Sequence, residues 1–241
     1  MHTLSKPVTG VFLDLGWTLL TPTSGDWMFS SFARRYFSRE ALEALPRERV
    51  QAAMAQGDAY LSAHHRMETM EEEYVQFLHY YTMLSQALPE LGLDNTALEA
   101  VARDKVYNLE NYGLFPDTLE ALEALRGPYA IGVISDTWPS IVPVLEHFGL
   151  LPYFDTLTFS YQLGVYKPHP TLYRDALEKL GLPAEETVFV DDGVGNLRGA
   201  QAAGIQPVLI TAKPGAAPCP PGMAQVSRIS QLPGLLEQAN H

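Results

Sequence analysis

Cysteine is almost absent from this chain. Its 241 residues include a single one, Cys219, so no intrachain disulfide can form, which fits a reducing compartment. Long apolar runs are missing too. None approaches the roughly 18 residues of a spanning helix, and the opening MHTLSKPVTG lacks the apolar stretch of a signal peptide. The expectation is a soluble, cytoplasmic protein with no membrane partner. Positive charge is scarce: 16 Lys and Arg stand against 28 Asp and Glu, a formal net charge of −12. That balance excludes a broad contact with a nucleic-acid backbone. It is compatible with a small anionic substrate, because a local cation or metal reverses the field at one site.

What is present is enough apolar content, 46%, for a real core. The length suits one large domain, or one domain carrying an insert. Five short apolar runs read as strands: VFLDL (11–15), AIGVIS (130–135), TLTFS (156–160), TVFVD (187–191) and PVLIT (207–211). From the second onward, helical patterns fill the gaps: DTLEALEALRG (117–127), IVPVLEHFG (141–149), TLYRDALEKLG (171–181) and NLRGAQAAG (196–204). Asp117 and Glu120 read as a capping pair, with Gly127 as a stop. Strands alternating with helices imply a doubly wound parallel sheet.

Residues 21–111 differ. They contain no convincing strand. Phe29, Phe32, Ala33, Tyr36 and Phe37 recur at helical spacing, as do Tyr74, Phe77, Leu78 and Tyr81 after a capping box at Thr69 and Glu72. A second box, Thr96 with Glu99, opens another helix. The expected organisation is a core in two pieces, 1–20 and 112–241, with an all-helical insert at 21–111. Both ends of the insert should lie near the exit of the first strand, where a lid excludes water and selects substrate. AKPGAAPCPPG (212–222) reads as a surface loop.

The chemistry-bearing residues fall at strand ends. Asp14 closes the first apolar run, Ser135 with Asp136 the second, and Asp191 with Asp192 the fourth; Lys167 sits in a loop between Gly164 and Pro168. In a parallel sheet these ends share one edge, so residues far apart in sequence converge there. Taken singly, each has a plainer reading as a turn residue, a helix cap or a solvated side chain. Together, a carboxylate nucleophile, a hydroxyl, a lysine and a diacid for a cation form a phosphoryl-transfer set. Thr18 hints at a phosphate-handling turn. Gly16, two residues after Asp14, has no side chain for acid–base work.

These residues resemble the motifs of the haloacid dehalogenase (HAD) superfamily, in the branch with a helical cap after the first strand. VFLDLGWTLL resembles the first motif, usually Asp-x-Asp-x-Thr. VISDTW (133–138) resembles the second, GVYKPHPTLY (164–173) the third, and VFVDDGVGNLRGAQAAG (188–204) the fourth. The resemblance implies an α/β fold: a Rossmann-like doubly wound parallel sheet core with an inserted all-helical cap. It implies a hydrolase, most simply a phosphatase acting on a small phosphorylated metabolite through an Asp14 phosphoenzyme. Ser135 and Lys167 would hold the phosphoryl group, with Leu15, Gly16, Thr18 and Asp136 lining it. Mg²⁺ would be held by Asp14, the Gly16 carbonyl and Asp192, with Asp191 close by.

Gly16 is the departure from the pattern. It spares the metal-binding carbonyl and removes the general acid/base, a loss worth about 10²- to 10⁴-fold in rate. Three readings stay open: a substrate with a good leaving group such as an acyl phosphate, a cap histidine (His64, His65 or His79) in its place, or a non-catalytic binding or regulatory protein. A metal-free dehalogenase-like hydrolase is a further alternative. A phosphonatase would need a cap lysine, and none occurs from residue 21 to 104. Trp17 either narrows the pocket or packs at the hinge. The histidines read first as partly exposed helix surface, Glu71 to Glu73 as a solvated face at a helix start, Arg34 and Arg35 as solvated, and Met67, Met70 and the tyrosine stripe as cap packing. His169 and Cys219 carry no role.

Overall fold

A computed structural model describes residue 4, residues 7–216 and residues 218–240. Residues 1–3, 5, 6, 217 and 241 lie outside the described residues, among them most of the opening segment and one position of the 212–222 loop. Strands are β1 (Gly10–Leu13), β2 (Leu20–Pro22), β3 (Tyr112–Leu114), β4 (Ala130–Ser135), β5 (Thr156–Phe159), β6 (Thr187–Asp191), β7 (Gln206–Ile210) and β8 (Ala224–Val226). Helices are α1 (Arg39–Glu43), α2 (Arg47–Ala63), α3 (Met70–Ala87), α4 (Asn95–Tyr107), α5 (Thr118–Leu125), α6 (Ile141–His147), α7 (Ser160–Leu163), α8 (Pro170–Leu180), α9 (Val194–Ala202) and α10 (Leu232–Ala239). The fold is α/β, with the helices α2 to α4 inserted between β1 and β4. The chain divides into two compact units.

The first unit gathers the described residues within Met1–Thr21, Leu114–Thr137 and Leu145–His241. Its centre is a six-stranded sheet in the order β5-β4-β1-β6-β7-β8, parallel throughout. Val11, Phe12 and Leu13 are fully buried, as a central strand covered on both faces requires. Gly132 of β4 lies where a side chain would meet the Phe12 ring, a built Cβ coming within 2.7 Å of it. One face packs on α8 and α9 through Phe12, Tyr173, Phe189 and Leu197. The predicted strands agree with β1 and β4 to β7 to within a residue or two. The first stops at Leu13, so Asp14 lies beyond its end. The strand β8 and the β2–β3 pair were not expected; each is three residues long, too short to show an alternation. The side chain of Asp117 does not cap α5; it accepts instead from the Ser230 backbone, 3.0 Å away.

The second unit comprises Pro22–Gly113 and Trp138–Val144. Its core joins Phe29, Phe37, Phe77, Tyr80, Tyr81, Leu84 and Val101. Gly57 brings α2 close to α3, since a Cβ there would lie 2.5 Å from the Tyr80 ring. The capping box at Thr69 and Glu72 forms as expected. The α4 cap is Asp94, which accepts from Ala97 at 2.8 Å, in place of the expected Thr96. The Phe29–Phe37 stretch is not an α-helix. Only Ala33–Arg35 forms a short 3₁₀ turn. Asp26 accepts from Met28 and Phe29, and Ser30 from Ala33, local bonds that compete with the helical ladder.

Two surface expectations are overturned. Glu73 is fully buried, accepting from the Ser140 backbone and hydroxyl, both at 2.7 Å. Burial raises its pKa to about 7, against the pull of Lys105. His65 is 1% exposed, edge-on to Trp138 with centroids 4.6 Å apart, and burial lowers its pKa to about 4. Both side chains face the stretch 138–144, which joins this unit from far along the chain. His64 and His79 are exposed, each tilted against the Tyr60 ring with centroids 4.2 Å apart.

Candidate active site

The sheet register places the site. Leu13 is level with Val133 of β4 and Val190 of β6, so the residues that follow emerge together at the C-terminal edge. The Asp14 backbone donates to Val190 at 3.0 Å, and its side chain is buried. The chain then turns tightly. The Leu15 carbonyl accepts from Leu19 at 2.9 Å and Leu20 at 2.8 Å, and the Trp17 backbone donates to Leu20 at 2.7 Å. Gly16 pairs with Leu20 in an isolated bridge. Trp17 takes the left-handed conformation, φ 59°, an outlier for a bulky residue. Thr18 is fully buried, with no hydrogen-bond partner for its hydroxyl among the described residues.

Lys167 enters this edge from the loop after α7. Its backbone donates to Asp136 at 2.9 Å. Its ammonium donates to Asp14 at 2.8 Å, Asp191 at 2.7 Å and the Ile134 carbonyl at 3.4 Å, which uses all three of its protons. Asp191 is fully buried at the end of β6. It accepts further bonds from the Gly193 backbone at 2.6 Å and from Asn196 at 3.0 and 3.1 Å. Ser135 ends β4 at the same edge, buried. Carboxylate oxygens of Asp14, Asp191 and Asp192 lie within 4.8 Å of one another.

Charge at this edge is out of balance. Four carboxylates, Asp14, Asp136, Asp191 and Asp192, surround one buried cation. Burial pushes Asp14 up to about 7, against the attraction of Lys167. Asp136 and Asp192 are raised mainly by burial as well. For Lys167, burial alone would lower the pKa, but Asp14, Asp191 and Asp136 outweigh it and keep the ammonium charged. An all-oxygen donor set with excess negative charge suits a hard divalent cation such as Mg²⁺. A cation there would relieve the repulsion among the carboxylates that adds to the rise caused by burial.

Of the expected residues, the structure brings Asp14, Lys167, Asp191 and Asp192 together, with Asp136 tied to the Lys167 backbone. His65, kept neutral by burial, is no proton donor at pH 7. Two residues escaped the sequence reading. Asn196 orients Asp191 from the first turn of α9; its signal was the Asn within the fourth motif. Lys213, in the loop after β7, lies 5.1 Å from the centroid of the Trp17 ring and had no signal of its own.

Residues 39–204 match the haloacid dehalogenase-like hydrolases. The chain belongs to that family. Pyrimidine 5'-nucleotidase YjjG of Escherichia coli (strain K12) is 34% identical over 93 residues, 37% of this chain and 41% of the nucleotidase. The chain thus spans less than half of that relative's length. A 2-haloacid dehalogenase from Pseudomonas syringae pv. Tomato DC3000 superposes with a TM-score of 0.64 at 23% identity, over 96% of this chain and 99% of that one. A HAD-type chain of Bacillus subtilis, YfnB, in a crystal form bound to magnesium, superposes with a TM-score of 0.64 at 18% identity, over 96% and 99%. At such identities the two structures speak for the HAD fold. The distant relatives of this hydrolase thus include a small-metabolite phosphatase and a dehalogenase. No helix among the described residues is long and apolar enough to cross a membrane.

Proposed function

We propose that this HAD-family hydrolase is a Mg²⁺-dependent phosphatase of small phosphorylated metabolites that works through a phosphoenzyme on Asp14. The observation that carries the reading is the buried Asp14–Lys167–Asp191 cluster with Asp192 within cation distance. A metal-free reaction has less use for three carboxylates so close together. The magnesium-bound YfnB fold and the nucleotidase relative support the same reading.

In this reading an Asp14 carboxylate oxygen attacks phosphorus and the bond from phosphorus to the leaving oxygen breaks. That oxygen leaves unprotonated or takes its proton from solvent, since Gly16 offers none. Water then attacks the aspartyl phosphate, releasing phosphate and restoring Asp14. Lys167 favours the ionised form of Asp14 against burial and holds it in place, and Asp191, oriented by Asn196, holds Lys167. The Ser135 hydroxyl, Asp136 and the Leu15–Thr18 turn complete the phosphate surroundings. Asp14, the Gly16 carbonyl and Asp192, with Asp191 beside them, would hold Mg²⁺, which when bound would neutralise charge on the phosphoryl group. The helical unit acts as the cap that selects the substrate.

Gly16 favours one further reading. A halide needs no proton to leave, so carbon–halogen hydrolysis through Asp14 fits the same gap. A rate panel separates the two. Acetyl phosphate, an aryl phosphate, an alkyl phosphate and a 2-haloacid are tested with Mg²⁺ or with EDTA, on wild type and Asp14→Asn. The proposal expects Mg²⁺-dependent turnover of the acyl and aryl phosphates, alkyl esters about 10²- to 10⁴-fold poorer, and loss in Asp14→Asn. Haloacid turnover in EDTA would favour the other chemistry. Phosphate turnover that persists in Asp14→Asn would refute both.

A further inference from the structure

Lys167 spends every proton of its ammonium on Asp14, Asp191 and Ile134, and Gly16 adds nothing beyond its backbone. One other cation stands by the same edge. Lys213 follows β7, and its ammonium makes no hydrogen bond or ion pair among the described residues; it rests on the Trp17 ring, 5.1 Å from the centroid. Lys213 and Asp192 line one cavity of about 170 Å³, with Thr211 and Val194. That space is large enough for a small anionic substituent between Lys213 and Asp192.

The seat under Lys213 is itself unusual. Trp17 follows Gly16 directly and holds a left-handed backbone inside a turn closed by its own bond to Leu20. Strained backbone of this kind persists where its surroundings over-determine it, and it clusters at ligand sites. A solvated lysine on a tryptophan is common. This one differs in sharing a cavity with Asp192 while resting on the residue that follows Gly16, in a chain of net charge −12.

We propose that Lys213, seated on Trp17, is a specificity-determining residue that binds a second anionic group carried by the substrate's leaving part. The preferred substrates are then small phosphorylated metabolites bearing a carboxylate or a further phosphate beyond the group transferred. The proposal rests on the phosphatase reading above. The attraction is ionic and partly exposed, so its expected size is about three- to fivefold in kcat/KM, the upper part of the range of exposed ion pairs, and it weakens as salt shortens the Debye length below about 10 Å.

The test uses a matched pair, 4-carboxyphenyl phosphate and phenyl phosphate, on the Mg²⁺-loaded enzyme. Wild type should prefer the carboxylated ester about three- to fivefold at low salt, the ratio falling towards one in 1 M salt. Lys213→Met should bring the ratio to one at every salt concentration, Lys213→Arg should retain it, and Trp17→Leu should reduce it. A Lys213→Met ratio equal to that of wild type would overturn the proposal. The same pair is also measured by calorimetric binding to Asp14→Asn, with and without Lys213→Met. A preference that depends on Lys213, in an enzyme that turns over neither ester, would support the subsite and count against the phosphatase reading alone. Equal or undetectable affinity for the two esters would overturn the subsite.

Discussion

Replacing Lys167 with methionine removes the one buried cation of the site while keeping most of its volume. The ammonium lies 2.8 Å from Asp14 and 2.7 Å from Asp191, with only 2% of its side chain exposed. At an effective dielectric of about 20, each contact is worth roughly 6 kcal/mol of Coulomb attraction, much of it offset by desolvation. Breaking one side of a buried pair typically costs about 3–5 kcal/mol. Asp14 has an escape, because burial already places its pKa at about 7 and it can take up a proton. The lower end therefore applies, about 3 kcal/mol near neutral pH. For a chain of this size that is a fall in Tm of about 6–12 °C. In the variant the folded-state carboxyl pKa values lie above their unfolded values. Stability is then retained at low pH and lost as pH rises through the folded values, so the gap from wild type is wider at pH 8 than at pH 5. Mg²⁺ should restore part of it; a site with ligand at 100 times its Kd gains about 2.7 kcal/mol. Thermal unfolding at both pH values, in EDTA and in Mg²⁺, measures all of this. A Tm in EDTA at pH 8 equal to wild type would show that the cluster is not the charge-strained site described above.

Two further outcomes follow from the geometry. Gly16 lies outside the left-handed region, so Gly16→Asp introduces a side chain without backbone strain. Initial rates should rise about 10²-fold or more on alkyl phosphates and little on acetyl phosphate; a folded variant with no such rise would refute the missing-acid account. Glu73, with its pKa raised to about 7, stabilises the fold most below its unfolded value near 4.5, and that contribution is lost as pH rises through 7. Glu73→Gln keeps a bond to each group of Ser140 and drops the charge. Denaturant unfolding should show it more stable than wild type at pH 8, by at most about 3 kcal/mol, with the difference gone by pH 4; a variant less stable at pH 8 would mean that Lys105 needs the carboxylate.

The elements that were legible in the sequence carry a local signature. Val11 to Leu13 and Val188 to Val190 are apolar on both faces because both sheet faces are covered. The box at Thr69 and Glu72 is a local pattern with a local cause. The misreadings came where a distant partner decides. Glu73 looked like a solvated charge at a helix start until Ser140, 67 residues away, supplied two donors to its carboxylate. His65 is buried by Trp138 in the same way. The Phe29–Phe37 pattern has helical spacing, but Asp26 and Ser30 bond the backbone that a helix would need. At the sheet edge, Asp14, Lys167 and the Asp pair could be named because parallel strands bring their ends to one side. Asn196 meets Asp191 and Lys213 meets the Trp17 ring through side-chain reach, and Lys213 belongs to none of the motifs.

The central claim is that Asp14 becomes phosphorylated during turnover. Wild type is mixed with acetyl phosphate and Mg²⁺, quenched in acid within the first turnovers and digested for peptide mass mapping. The account predicts a phosphoryl adduct on the peptide carrying Asp14, absent in EDTA and absent from Asp14→Asn. Turnover with no adduct on that peptide, or with the adduct on another residue, would contradict it.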